Sequence, residues 1–337
     1  MSLPTVKEVA KRAGVSPMTV SRTLAGGANV RPNVQARVMA AVVELGYRRN
    51  EMARSLRPGH RSGLIGVAIT NLGNPYYGEF AAGVEEIAVK FGRRILLGNS
   101  GEDLGREQRL VRDFVGRQVE GLILVPASQE NHHLQPREIQ NMPLVLASRM
   151  VEGVRADSVV LDDVGGARRG VETMLNSGYR RIAFLGSSTS VQTVNRRFAG
   201  YSSALHRAGL SVEPSLVAVG QQDVLTAQQA TSVLLDSPNP PDAIFATNNR
   251  NAIGALREIG RRASQRPGVH PLPALLSFDD FELASLMPVR VVVIDHDPRE
   301  LGHQAAQLLF DRLTSEAPFD APNEIIEMPT TVRLARP

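Results

Sequence analysis

Residues 5–25, TVKEVAKRAGVSPMTVSRTLA, decide how the rest of the chain is read. They spell two short helices and a tight turn. Thr5 and Glu8 stand at capping-box spacing, so Thr5 begins the first helix. Val6, Val9, Ala10 and Ala13 recur at helical period and mark its apolar face. Gly14 supplies the backbone freedom for a sharp turn. Ser16 then caps a second helix, with Pro17 at the first position, where a missing N–H costs nothing. Val20 and Leu24 face inward, leaving Pro17, Met18, Ser21 and Arg22 outward. This is helix-turn-helix geometry, in which the second helix enters the DNA major groove by its N-terminal end. Arg22 can donate two parallel hydrogen bonds to guanine, and Met18 offers an adaptable apolar surface to a thymine methyl. The hydroxyls of Ser16, Thr19 and Ser21 suit phosphates, which set register without reading sequence.

The segments Val9-Ala10, Ala13-Gly14-Val15-Ser16 and Thr19-Val20-Ser21-Arg22 together resemble the N-terminal headpiece of the LacI/GalR family of bacterial transcription regulators. Thr5 joins these residues as an expected DNA contact. Residues 32–45 form a third helix behind Pro32, with Val34, Val38, Ala41, Val42 and Leu45 as its stripe. The resemblance places Asn29, in the preceding loop, against a phosphate. Arg31 stands where the family often has a capping Ser, which predicts a weaker cap. The linker, residues 47–62, is basic and ends at Pro58-Gly59. Its Asn50–Arg57 segment is two turns long, too short to be a stable helix alone in water. Asn50, Ala53, Arg54, Ser55 and Leu56 resemble the family's hinge helix, which implies folding on operator DNA. Leu56 would then act as the minor-groove wedge and the arginines would hold phosphates. Arg49 replaces the Pro usual before that Asn, a departure that loosens the hinge start.

A chain of 337 residues is too long for one ordinary core and suggests two or three domains. Its formal charge of +4 is unevenly placed: residues 1–62 hold eleven Lys and Arg against three acids, so the body is mildly acidic. A basic head on an acidic body fits nucleic acid at one end and another partner elsewhere. The absence of cysteine excludes disulfides, cysteine metal sites and thiol catalysis. No apolar run reaches signal-peptide or bilayer length, so a cytoplasmic protein without membrane contact is expected. His132-His133 reads as a solvated loop. Gly-Lys-Ser/Thr and Gly-x-Ser-x-Gly motifs are absent, and neither an enzyme nor a cofactor or metal is expected.

From Leu64 onward, short apolar runs alternate with amphipathic stretches. Examples are Leu64–Ile69, Gly121–Val125, Leu144–Ala147, Ile182–Leu185, Ala243–Ala246, Ala274–Phe278 and Val289–Ile294. This is βα alternation with buried parallel strands, and the strand number suggests two doubly wound sheets. The fold class is therefore a small all-α helix-turn-helix headpiece plus an α/β core of two doubly wound parallel-sheet lobes. Such sheets place ligands at the carboxyl ends of their strands. Polar residues gather there: Asn71 and Asn74-Pro75-Tyr76-Tyr77, Ser148-Arg149, Asp162-Asp163, Asn195–Arg197, Thr247-Asn248-Asn249 and Asp279-Asp280. Any one of them could equally be a helix cap.

This region also resembles the family's periplasmic-binding-protein-like core, through Asn74-Pro75-Tyr76-Tyr77, Arg197-Phe198-Ala199-Gly200-Tyr201 and Phe278-Asp279-Asp280. The resemblance implies Arg197 and Asp279 as the effector-binding pair, with Tyr76, Tyr77 or Phe198 stacking on the ligand. Asn71, Ser148, Arg149 and Asn249 complete the expected site. Ser148 and Asn249 stand where the family often has Asp, which leaves room for a more anionic ligand than a neutral sugar. The family's three interlobe crossings are placed near 162, 289 and 320. The expected domains are then 1–46 headpiece, 47–62 hinge, 63–162 with 290–320 lobe 1, and 163–289 with 321–337 lobe 2. No leucine heptad closes the chain, so a homodimer on a palindromic operator is expected and a tethered tetramer is not. The function implied is a sequence-specific transcription regulator, a repressor by expectation, controlled by a small carbohydrate-like metabolite. The alternatives are a DNA-binding regulator without ligand response and a sugar-binding protein.

Overall fold

The computed structural model describes residues 4–24, 26, 29–47, 62–265, 272–282, 284, 289–315 and 322–335. The chain divides into two compact units, residues 1–62 and 63–337.

The first unit is built by local chemistry. Helix α1 (Val6–Ala13) starts in a complete capping box: Thr5 N donates to Glu8 Oε2 at 2.6 Å, and Glu8 N donates to Thr5 Oγ1 at 3.4 Å. Gly14 ends it in the left-handed region at φ 66°, where a side chain would be strained. Helix α2 (Pro17–Leu24) follows, with Ser16 Oγ accepting from Thr19 N at 3.1 Å. Helix α3 (Pro32–Leu45) has Arg31 at its N-cap and no side-chain cap, as the departure from Ser predicts. Val9, Ala10, Ala13, Val20, Val38 and Ala41 form the core, and Tyr47 joins them at 9% exposure. Tyr47 therefore belongs to the headpiece and not to the linker. So small a core gains from one more buried aromatic. The hinge residues Asn50, Ala53, Arg54, Ser55 and Leu56 lie outside the described residues.

The second unit holds two sheets. The first comprises β1 (Leu64–Ile69), β2 (Arg94–Asn99), β3 (Gly121–Leu124), β4 (Leu144–Ala147), β5 (Asp157–Leu161) and β11 (Ile325–Met328). Their order is β2-β1-β3-β4-β5-β11, parallel throughout. Helices α4 (Pro75–Lys90), α5 (Leu104–Gly116) and α10 (Pro298–Thr314) pack on it. The second sheet comprises β6 (Ile182–Leu185), β7 (Val217–Ala218), β8 (Ala243–Ala246), β9 (Ala274–Phe278), β10 (Val291–Asp295) and β12 (Thr331–Leu334). Its order repeats the first, β7-β6-β8-β9-β10-β12, with β12 antiparallel to β10. Its helices are α6 (Asp163–Asn176), α7 (Gln192–Arg207), α8 (Val224–Leu235) and α9 (Asn249–Gln265). The fully buried strands β3, β4, β5, β6, β8 and β9 are the apolar runs of the sequence, because both faces are covered by helices. Helices α4 and α10 meet backbone to backbone: a Cβ on Gly83 would lie 2.1 Å from the Arg299 carbonyl oxygen, and one on Gly302 would lie 2.2 Å from that of Phe80.

Two expected crossings move. The first follows β5, at Asp162. The second follows β10, at 296–297, because Val291–Asp295 pairs with β9 and β12 in the second sheet. The third follows β11, at 329–330, because Ile325–Met328 pairs with β5 in the first. The expected boundaries at 289 and 320 thus cut before strands that still belong to the lobe being left. All three crossings depart from the carboxyl end of a strand. His132-His133 is also corrected. It opens a short 3-10 helix, and His133 is buried with Nε2 2.8 Å from Glu107 Oε1. Among the described residues no helix is long and apolar enough to cross a membrane, and no His, Cys, Asp and Glu group is placed to hold a metal ion.

Candidate functional site

Packing Val20 and Thr23 inward leaves the opposite side of α2 open. Pro17, Met18 and Arg22 are exposed, Met18 by 64%, and Thr19 and Ser21 are half-buried. The helix carries no acidic residue in its eight positions, so Arg22 meets no competing carboxylate there. Thr5 is engaged by Glu8, and the Ser16 hydroxyl by the Thr19 backbone and side chain. Asn29 is exposed in a left-handed conformation, φ 67°.

The second unit contains a cleft of about 700 Å³ between the two sheets. In each sheet the strand order reverses between the first strand and the third, and doubly wound sheets bind ligands at that point. Both reversal points open here: Thr70 and Asn71 follow β1, Ala127 follows β3, Ser187 and Ser188 follow β6, and Thr247 and Asn248 follow β8.

Arg197, on α7, lies in the cleft wall. Its Nε donates to Asp163 Oδ1 at 2.8 Å, Nη1 donates to the Thr247 carbonyl, and its guanidinium stacks 3.5 Å from the Phe278 ring centroid. Burial pushes the Asp163 carboxyl up, and Arg197 and Arg196 oppose that shift. Asp279 faces the same space from a left-handed turn, φ 72°, held by the Ser277 hydroxyl donating to the Asp279 carbonyl at 2.8 Å. Behind it His296 is almost fully buried, with Nε2 3.8 Å from Asp279 Oδ1. Burial pushes the imidazole pKa down despite Asp279, so the ring is neutral at pH 7.

On the facing lobe, Arg149 is buried. It donates to both Glu102 oxygens at 2.7 Å and to the Pro126 carbonyl at 2.8 Å. Burial opposes its charge, but Glu102 more than restores it, so the guanidinium stays protonated. Tyr76 lines the cleft with its hydroxyl 3.3 Å from Ser148 Oγ, and it packs edge-on against Tyr77 at 5.0 Å between centroids. Burial raises both phenols, so each is neutral. Tyr77 accepts from Thr70 Oγ1 at 2.8 Å. Asn71 lines the cleft while its Oδ1 accepts from Gly73 N.

Seven of the nine expected effector residues thus line one space: Asn71, Tyr76, Tyr77, Ser148, Arg149, Arg197 and Asp279. Phe198 does not. One residue beyond Arg197 it points about 100° further round the helix, and it packs on Phe184 at 5.1 Å and Tyr201 at 5.9 Å. Asn249 is also absent from the cleft lining. Its side-chain amide pairs reciprocally with Asn74: Asn249 Nδ2 donates to Asn74 Oδ1 at 2.8 Å, and Asn74 Nδ2 donates to Asn249 Oδ1 at 3.1 Å. Both are buried, and the pair ties α4 of one lobe to α9 of the other. Met150 N donating to Gln192 Oε1 at 2.8 Å and Arg196 Nη2 donating to Glu327 Oε1 at 2.8 Å are further ties between the lobes.

Asn249→Ala leaves the Asn74 amide nitrogen buried without an acceptor. The expected result is a loss of about 1–3 kcal/mol in thermal or urea unfolding, with weaker ligand binding because the closed lobes become less populated. Unchanged stability and affinity would show the pair to be incidental.

Sequence reasoning missed Glu102, Arg250, Asp223 and the serines 187, 188 and 190. The strand-end rule could have found the serines, which directly follow β6. Nothing in the local pattern marks Glu102, whose partner is 47 residues away.

Comparison with known proteins agrees with this fold. The model for periplasmic binding proteins and the sugar binding domain of the LacI family matches residues 62–326. The model for bacterial regulatory proteins of the lacI family matches residues 5–50. The chain is 28% identical over 327 residues to catabolite control protein A of Priestia megaterium, covering 96% of each protein. A solved transcriptional regulator CelR–cellobiose complex is 27% identical with a TM-score of 0.68, covering 98% of both chains. The fold is shared with the Lac repressor dimer bound to operator and the anti-inducer ONPF, at TM-score 0.81 and 24% identity, covering 99% of this chain and 98% of that one.

Proposed function

The chain belongs to the LacI family of bacterial regulatory proteins and is a DNA-binding transcription regulator with an effector domain of the sugar-binding type; from that premise we propose that it is a homodimeric repressor released from, or recruited to, a palindromic operator by a small polyhydroxylated metabolite held between its lobes. Pro17, Met18 and Arg22 read bases from α2, while Thr5, Ser16, Thr19, Ser21 and Asn29 fix the headpiece on phosphates. Asn50, Ala53, Arg54, Ser55 and Leu56 form the minor-groove hinge, and residues 63–161 with 298–328 and residues 163–295 with 331–334 form the two interleaved lobes. Arg197 and Asp279 take the effector's hydroxyls, with Asn71, Tyr76, Tyr77, Ser148 and Arg149 opposite them. The protein binds this metabolite without transforming it, and its DNA target places its work in the cytoplasm.

The observation that carries this reading is the placement of Arg197. A buried carboxylate aims it and an aromatic face supports it, so it stands in the cleft wall with Asp279. The relative solved with cellobiose supports a carbohydrate class of ligand. Effector binding acts by linkage: a ligand that prefers one arrangement of the lobes shifts operator affinity by a coupling of about 1–3 kcal/mol.

The test has two parts. Selection of the purified protein on random duplex DNA, with and without a metabolite pool, is expected to enrich a palindrome. Asp279→Asn is expected to keep that DNA binding and to lose the metabolite response. Failure to enrich any sequence in either condition defeats the regulator reading, and an intact response in Asp279→Asn defeats the assignment of the cleft.

A further inference from the structure

We propose that the effector carries one anionic group, a phosphate or a carboxylate, and that Arg250 is the residue that takes it. The inference rests on the cleft being the effector site.

It follows from which charges of the cleft remain unanswered once the protein's own pairings are made. Arg149 is matched twice by Glu102. Arg197 is matched by Asp163 and the Thr247 carbonyl. Asp103 and Asp223 are spent as helix caps, accepting from Arg106 N at 2.6 Å and Thr226 N at 2.8 Å. Two charged groups are left among the described residues. One is Asp279, whose nearest cation-forming atom is His296 Nε2 at 3.8 Å, on a ring that is neutral. The other is Arg250.

Arg250 stands in the first turn of α9 and lines the cleft. It makes no ion pair within 4.0 Å with any described carboxylate, and its Nε is buried without a hydrogen-bond acceptor. A buried guanidinium N–H without an acceptor is unfavourable, so the site is built around an acceptor that the protein does not itself supply. The neighbourhood is rich in donors. Helix α7 opens into the cleft at Val191 with no side-chain cap, leaving its first N–H groups to other partners, and Ser188 and Ser190 lie beside it. The Thr247 hydroxyl is buried and unpartnered. A neutral sugar offers hydroxyls, which suit Arg197 and Asp279, whereas Arg250 keeps only the distant pull of Asp223, with no ion pair within 4.0 Å and no acceptor on its Nε. A phosphate or carboxylate fits a guanidinium fork with two parallel hydrogen bonds. The chemistry that answers both leftover groups is a polyol with one anionic end, a sugar phosphate or a sugar acid.

The test uses the full chain, with inorganic phosphate as a probe independent of the effector's identity. Matched sets follow: glucose with glucose 6-phosphate and gluconate, and ribose with ribose 5-phosphate. Wild type, Arg250→Gln, Arg250→Lys and Asp279→Asn are compared by calorimetry and thermal melting. Millimolar phosphate is expected to raise the melting temperature of the wild type, with the shift lost in Arg250→Gln and partly kept in Arg250→Lys. Phosphate bound by the basic headpiece is common to all four proteins and cancels. The phosphorylated or acidic member of a set is expected to bind about tenfold tighter than its neutral parent, with that margin removed by Arg250→Gln. Which member wins separates phosphate from carboxylate. No phosphate shift in the wild type, an equal shift in Arg250→Gln, or neutral and anionic sugars binding alike overturns the proposal. Neutral sugars that bind and are lost in Asp279→Asn would leave the cleft as effector site while Arg250 falls. Sugars that bind indifferently to both variants would remove the cleft reading as well.

Discussion

Exchange of Arg197 for methionine is expected to cost the core about 3 kcal/mol of stability at neutral pH and to abolish its effector response. Asp163 is 1% exposed, so removing its partner strands a carboxylate away from water. Arg196 remains, with Nε 3.5 Å from Asp163 Oδ2, and holds the loss to the lower end of the range for a broken buried pair. Adding Asp163→Leu removes both charges together and is expected to recover most of the stability, because two apolar groups need no compensation. It is not expected to recover effector binding, so the pair of variants separates the architectural role of Arg197 from its role toward ligand.

The pH dependence has a definite sign. Burial already holds the Asp163 carboxyl above its ordinary range with Arg197 present, and loss of the guanidinium raises it further. A carboxyl whose folded pKa exceeds its unfolded one favours the fold below the unfolded value, and it withdraws that support as pH rises through the folded value. The deficit of Arg197→Met therefore narrows on acidification, and the double variant lacks that trend. Urea unfolding midpoints across the acid range measure it; a deficit independent of pH would mean that Asp163 is not the source.

Arg22→Ala is the second large effect. The expected loss of operator affinity is about 5–150-fold, the range for a bidentate arginine–guanine contact, with relaxed preference at one position of each half-site. Arg22 is exposed on a helix without acids, so folding of the headpiece is unaffected. Competition between single-base operator variants distinguishes base reading from charge. A uniform loss across all variants, with a shallower salt dependence, would make Arg22 a phosphate contact instead.

Local chemistry made the headpiece legible from its sequence. The capping box at Thr5, the left-handed turn at Gly14 and the Ser16-Pro17 start of α2 each depend on groups within four residues of one another. The strands of the core were legible for a related reason: burial on both faces leaves an unbroken apolar run wherever a central parallel strand passes. Arg197 and Asp279 could be located because their segments resemble the family's core; Asp279 does follow β9, whereas Asn195–Arg197, expected at a strand end, lie within α7. Phe198 could not be placed, since an aromatic beside Arg197 has no mark of which side of the helix it will occupy.

What the sequence by itself determined was therefore the kind of each element, the βα alternation and the polar ends of the strands, all written in short-range periodicity and capping. Tertiary structure alone decided which groups meet. Asn249 finds Asn74 across 175 residues, Arg149 finds Glu102 across 47 and Arg197 finds Asp163 across 34. Likewise the pairing of β10 with β12 and of β11 with β5 puts two lobe crossings later than the family resemblance implied. A hydrogen bond or ion pair is specified by the distance and desolvation of both partners, and neither exists until the segments that carry them have packed together.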